Sequence, residues 1–385
     1  MQLSASRYFT FALLAFIASF LLLPSTKAVN NVFYIFLALP ALILILLGKA
    51  QRPPVSGLVG LWVGFFIWLV LSTLVAGSEL RSFKYLLYTL LFCAAVWLWV
   101  DWRSFDSATL FRLFFWGLIV YVTGSAIYLW STGQVGVGAR VLLLPSRMEG
   151  PILTSMLMVS CFALLLPQWL RNRSWLERAA ASLAILFCAG FVLQSRTGLV
   201  GLGVELAVMG GWAFWRGGWL LRSGSVLAVV LSALIGVWLL QHSEVAAELI
   251  SRADAGRFES WQLYFEAWSQ CGFVLGCGPE FSPEIRIQSG QLTQHPHNIF
   301  LAMGFRYGVP GLLLFSLCMI ATAQQAWKQK NPWGGYFLIA LFMLNFDGRE
   351  LINSPHEVWL LVLLPAMLIA AKQRYLSAPQ AQRAD

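Results

Sequence analysis

His295-Pro296-His297-Asn298, then nine residues ending at Tyr307, then Gly308-Val309-Pro310-Gly311: in this stretch a polar segment runs directly into an apolar helix. Two of the four histidines stand at that junction. Working outward, the same alternation of long apolar runs and short polar breaks fills the chain. Of 385 residues, 59% are hydrophobic and 11% charged, with a mean hydropathy of +0.72. A soluble globule could not hide that much apolar surface, so the class is an all-α polytopic membrane protein. A net charge of +9 raises the question of nucleic acid. The Lys and Arg residues sit in short loops between apolar runs, however, so membrane topology accounts for them and no nucleic-acid partner is expected.

A span needs roughly 20 apolar residues. Runs near 8–23, 31–48, 57–76, 82–100, 108–130, 150–169, 179–194, 198–215, 223–240, 298–324, 333–347 and 355–371 give twelve. The first follows Arg7 like a secretory signal, but a second run begins almost at once, so it reads as an uncleaved helix. The break at Gln194-Ser195-Arg196-Thr197 is very short; if it is not a turn, the later orientation inverts. With the N-terminus inside, fifteen basic residues fall on the inner side and eight on the outer, the long loop left out. That bias puts both termini in the cytoplasm. Four parts follow: nine spans to residue 240, an exterior loop over 241–297, three spans over 298–371, and a disordered cytoplasmic tail over 372–385.

Within the exterior loop Phe258, Trp261, Phe265 and Trp268 recur at helical spacing, the pattern of an amphipathic helix lying in the membrane interface. Gly276-Cys277-Gly278-Pro279 ends any helix. Cys271 and Cys277 share this loop and are free to form a small disulfide or to remain two thiols. Cys93, Cys161, Cys188 and Cys318 fall singly inside apolar runs, without zinc spacing, and read as core residues.

Candidate chemistry gathers at the outer edge. Arg196 stands between two hydrophobic helices, where a guanidinium costs free energy unless it is paired, faces a wet cavity or snorkels to the interface. Arg257 opens the amphipathic helix, at the positive end of the helix dipole, a position that favours a nearby anion. Arg140, Arg147, Arg286, Arg306 and Arg349 are further exterior guanidinium groups, and such forks bind phosphate oxygens in pairs. His295 and His297 flank a proline and face the same side in an extended segment. A metal would need a third ligand at suitable spacing, and His242 and His356 are distant, so neither a metal nor another cofactor is expected. General base is the better role for His297. His295, Asn298 and Trp261 complete the expected substrate-binding set. Asp254, Glu259, Glu266, Glu280, Asp347 and Glu350 are the exterior carboxylates available as alternative bases, without the spacing of a glycosidase pair. Gly304, Gly308 and Gly311 read as sites of close helix approach.

Three motifs in this order resemble the O-antigen ligase family, within the superfamily that includes O-antigen polymerases and protein O-oligosaccharyltransferases. Ser195-Arg196-Thr197-Gly198 is similar to its Ser-Arg turn, and Arg257-Phe258-Glu259-Ser260-Trp261 to its Arg-x3-Trp loop. His297-Asn298, nine residues and Gly308-x2-Gly311 match its His-Asn-x9-Gly-x2-Gly signature. The resemblance covers roughly residues 150–345. It departs at Arg306, where many relatives carry an acidic residue. It implies a metal-independent, inverting membrane glycosyltransferase of the GT-C kind, in the inner membrane of a Gram-negative bacterium, its site facing the periplasm. The implied donor is a glycan on undecaprenyl diphosphate and the implied acceptor a sugar hydroxyl of lipid A-core. By the same resemblance His297 is the base, and Arg196 and Arg257 hold the diphosphate. The competing readings are a polymerase or protein-glycosylating relative, and a flippase for a lipid-linked anion, which would show broken helices with charge at mid-membrane.

Overall fold

The computed structural model describes residues 2–49, 56–106, 108–172, 174–216, 218–219, 222–223, 256–287, 290 and 292–377. The expected ninth span at 223–240, His242, Asp254 and the tail beyond 377 lie outside the described residues.

The helices are α1 (Gln2–Leu22), α2 (Thr26–Leu46), α3 (Gly57–Val75), α4 (Leu80–Trp99), α5 (Trp102–Asp106), α6 (Ala108–Ser131), α7 (Pro151–Arg171), α8 (Trp175–Val192) and α9 (Arg196–Arg216). After them come α10 (Arg257–Cys271), α11 (Ile299–Lys328), α12 (Trp333–Asp347) and α13, which begins as a π turn at Trp359–Leu363 and runs on through Leu364–Ser377. A two-stranded antiparallel hairpin, β1 (Ile285–Arg286) with β2 (Leu292–Thr293), lies between α10 and α11. Eight of the described helices are long and apolar enough to cross a membrane, and α12 and α13 contain shorter apolar stretches. Their outward faces carry Phe11, Leu113, Val120, Ile127 and Leu183, all well exposed, as suits a surface solvated by lipid. A helix of 21 residues such as α7 spans about 31 Å, close to the hydrocarbon thickness.

Helix α7 is the hub: 78% of its apolar window is buried, and it packs on α6, α9 and α12. Helix α11 packs on α3, and α13 on α4. Two of the π turns have a direct cause. Pro40 and Pro365 each lack an N–H and crowd the carbonyl four residues back, at Phe36 and Leu361. Both of those residues lie in π turns, Tyr34–Ala38 and Trp359–Leu363, where the widened turn makes room.

The short break before α9 is a turn. Ser195 donates its N–H to Ala189 O at 2.7 Å, Gln194 has φ 47°, and Ala189 and Gly190 lie against Gly198 and Leu199. Loops expected on one side of the membrane touch each other. Thr26 meets Arg147, Glu79 meets Glu280, and Arg306 meets Glu350 at one end. At the other, Lys372 lies over Trp102 at 4.8 Å and Arg112 pairs with Glu177.

Some expectations change. Helix α13 continues to Ser377, so the segment expected to be disordered from 372 begins as helix. The aromatic stripe of α10 divides: Trp268 packs inward with Ser260 and Tyr264, while Phe258 and Phe265 are exposed. Of the glycines after His297, Gly304 and Gly311 do admit neighbouring helices, at Trp268 of α10 and Trp68 of α3, while Gly308 serves something else. Pro310 cannot donate to Arg306 O, and the backbone turns left-handed at Gly308 (φ 72°). The freed carbonyls go to the loop after α10: Cys277 N–H donates to Phe305 O at 2.7 Å and Gly278 N–H to Arg306 O at 3.1 Å. Val309 N–H in turn donates to Phe273 O at 2.8 Å. A Cβ on Gly308 would overlap Val274 O, and one on Gly304 the Trp268 ring. The loop is therefore locked into the broken helix, and a Cys271–Cys277 disulfide closes it.

Candidate active site

The site forms where α11 begins and α12 ends. Asn298 caps α11, its Oδ1 accepting the N–H of Phe300 at 2.9 Å and of Leu301 at 3.0 Å. Immediately before it, His297 holds φ 53°, a left-handed conformation costly for a residue with a side chain. Asp347 is the last residue of α12, followed by Gly348, where a Cβ would stand 2.5 Å from Ile299 N. That close approach of the two helix ends brings Asp347 Oδ1 to 2.6 Å from His297 Nδ1. The imidazole is thereby oriented with Nε2 free to face a substrate. Side-chain exposure falls from 30% at His297 to 7% at Asp347, so the carboxylate is buried behind a ring that is open to ligand.

Arg257, the first residue of α10, adds the cation. Its Nη2 donates to Thr197 Oγ1 at 3.3 Å and stands 3.7 Å from Asp347 Oδ2. Oδ2 itself is buried without a hydrogen bond among the described residues. Gly256 permits the entry with φ 71°, in a place where a Cβ would meet Ile287 Cδ1 at 2.7 Å. Arg196, half-buried, opens α9 next to Thr197. The N-terminus of α10 thus brings Arg257 to the Asp347 carboxylate and to Thr197, the second residue of α9.

His295 packs against His297, the ring centroids 4.2 Å apart. Burial, then the neighbouring His297 and Arg349, lower its pKa to about 4, so it is neutral at pH 7. His295, Arg306, Arg349 and Glu350 line a cavity of about 540 Å³ together with Glu284 and Gln294. Arg306 donates to Pro279 O and pairs with Glu350. That carboxylate is held below its usual range: burial is the largest influence and opposes ionisation, but Arg306, the backbone N–H of Glu350 itself, His295 and His356 together outweigh it. The acidic group absent at position 306 is thus present from another loop.

Other expected residues are engaged elsewhere. Arg140 Nε donates to Leu193 O at 3.1 Å, bracing the turn before α9. Arg147 is 3.3 Å from Glu357 and donates to Thr26 at 3.0 Å. Arg286 lies exposed in β1. Trp261 is half-buried on α10, its indole N–H without a partner among the described residues.

Asp347 is the residue of this cluster that sequence reasoning did not single out, since it stood as one of six exterior carboxylates available as alternative bases. Its signal was its place at the outer end of an apolar run, where a carboxylate needs a partner. His295, His297 and Asp347 also offer ligand atoms within 4.8 Å of one another, the third ligand that spacing alone did not supply. Arg257 stands 3.7 Å from the same carboxylate, and a cation that close disfavours a divalent ion there.

Residues 181–316 match the family described as O-antigen ligase. The chain is 27% identical over 363 residues to a protein named O-antigen ligase from Pseudomonas aeruginosa, covering 89% of this chain and 84% of that relative. The resemblance read from the motifs is borne out by both matches. The matched segment contains Arg196, Arg257 and His297.

Proposed function

Starting from that likeness to O-antigen ligases, we propose that this membrane protein transfers a glycan from undecaprenyl diphosphate to a sugar hydroxyl of lipid A-core, on the periplasmic face of a bacterial inner membrane. The observation that carries the reading is the His297–Asp347–Arg257 constellation at the meeting point of four helix ends.

The acceptor hydroxyl approaches Nε2 of His297, which takes its proton as the oxygen attacks the anomeric carbon. The new C–O bond forms as the bond from that carbon to the diphosphate oxygen breaks, and attack from the opposite face inverts the centre. Asp347 holds the ring through Nδ1 and stabilises the imidazolium that results. Arg257 and Arg196 stabilise charge arriving on the diphosphate, aided by the helix N-termini on which they stand. Arg257 has a second anion, Asp347, within reach in the absence of donor, so it is a preformed but movable clamp.

The test is a deletion strain. Its lipopolysaccharide should lose long chains while lipid-linked polymer accumulates. Accumulation of single lipid-linked repeats instead would make the protein a polymerase, and glycan missing from a protein with lipopolysaccharide intact would make it a protein oligosaccharyltransferase. A flippase is disfavoured by where the charged clusters stand, at helix ends.

A further inference from the structure

A second cavity of about 350 Å³ adjoins the one beside His295, and the Arg306–Glu350 ion pair is the wall they share. Its far side is built by tying two distant loops together. The Glu280 carboxylate accepts the N–H of Glu79 at 3.0 and 3.2 Å and the hydroxyl of Ser82 at 2.5 Å. Ser72 donates to Leu275 O at 3.3 Å just below. The shape is thus fixed by hydrogen bonds between the loop joining α3 to α4 and the loop that locks into α11. Its volume is that of ordinary small-molecule pockets, about 300–1,000 Å³.

The lining selects among ligand classes. Three carboxylates, Glu79, Glu280 and Glu350, face two guanidinium groups, Arg81 and Arg306. Carboxylates outnumber cations, so a phosphate or diphosphate is disfavoured there, in contrast to the Arg257 side of His297. A lipid tail is disfavoured by so polar a wall. What suits it is a ligand with many hydroxyl groups and a small apolar face. Carboxylates and guanidinium groups form charge-assisted hydrogen bonds to hydroxyls, and the half-buried ring of Tyr85 offers a flat surface. Arg81 Nε donates to the Tyr85 hydroxyl at 2.9 Å, and Arg81 and Lys84 lie 5.4 and 5.2 Å from the ring centroid.

We propose that this cavity is a saccharide subsite, holding a sugar unit next to the one that reacts at His297. The inference rests on the glycosyl-transfer reading above. A chain of sugars running from His297 past His295 crosses the Arg306–Glu350 pair to reach it, so the pair sits between reacting and non-reacting units. Both substrates carry sugars, and the experiment separates the two sources.

Tyr85→Ala and Asn353→Ala, the latter also on the cavity wall, are made in the full-length protein in detergent and assayed by transfer with purified lipid-linked glycan and lipid A-core. Tyr85→Phe, which keeps the ring, is the conservative control. The expected result is a tenfold or larger rise in KM for one substrate, kcat changed less than threefold, and near-normal behaviour of Tyr85→Phe. A rise in KM for lipid A-core that vanishes when the core is trimmed to its reacting sugar assigns the subsite to the acceptor. A rise for the lipid-linked glycan that vanishes with a single-sugar donor assigns it to the donor. Unchanged KM for both substrates, or a rise that persists with both trimmed substrates, overturns the proposal. If the wild-type protein itself transfers nothing, the transfer reading has failed and not the subsite alone.

Discussion

Nδ1 of His297 stands 2.6 Å from Oδ1 of Asp347, joining the residue before the cap of α11 to the last residue of α12. Fifty residues apart in sequence, they meet because Gly348 lets the two helix ends close to backbone distance. Asp347→Asn should keep the fold and lower the transfer rate by about 10²–10⁴-fold, since an amide can fix the ring in the wrong tautomer and cannot stabilise an imidazolium. Single-turnover transfer with saturating donor measures it, and a rate within threefold of wild type would remove Asp347 from the mechanism.

Arg257 touches both Thr197 and Asp347, so its two roles can be separated. Arg257→Lys keeps the charge but loses the planar fork, and about a tenfold loss in kcat/KM is expected; Arg257→Gln should lose about 100-fold or more. Equal effects of the two changes, measured on lipid-linked donor, would place the residue outside the diphosphate site.

Acid should loosen the protein before it denatures generically. His295 and His356 both have pKa values lowered to about 4, in each case by burial first, against an ordinary value of 6.5. The unfolded chain therefore binds more protons between those values, and stability falls as pH drops from 6.5 towards 4. Thermal unfolding in detergent at stepped pH reads this out as a falling Tm, and His295→Asn should flatten part of the slope. A Tm independent of pH across that window would contradict the burial of both rings.

Gly308→Ala should fail to insert or fold stably, because its backbone (φ 72°, ψ −178°) lies in a region essentially reserved for glycine, costing about 1–3 kcal/mol before the overlap with Val274 O is counted. Gly60→Ala, in the interior of α3 with nothing within 4 Å, is the matched control and should be neutral or slightly stabilising. Yield and Tm of the two variants give the comparison.

Much of this arrangement was legible in the residues. Apolar runs of span length located the described membrane helices because lipid demands an unbroken apolar stretch, and the short Ser195–Arg196 break proved a turn. His297 and Arg257, which the structure brings to one carboxylate, stood out because charge and imidazole are costly at the edge of a bilayer. Asp347 was not, since pairing across fifty residues depends on how two helix ends approach. The role of Gly308 was also hidden: a G-x2-G spacing reads equally as helix packing, and only the loop at Phe273–Gly278 discloses what the glycine admits. Arg147 and Arg140 carried the same sequence signal as Arg257, yet the structure engages them in bracing Glu357 and the Leu193 turn.

The most direct measurement is made on purified His297→Ala protein with donor binding and product formation followed in the same sample. The account expects undecaprenyl-diphosphate-linked glycan to bind with near wild-type affinity and no glycan to reach lipid A-core. Transfer at the normal rate by that variant would contradict proton abstraction at His297 and, with it, the whole assignment of this site.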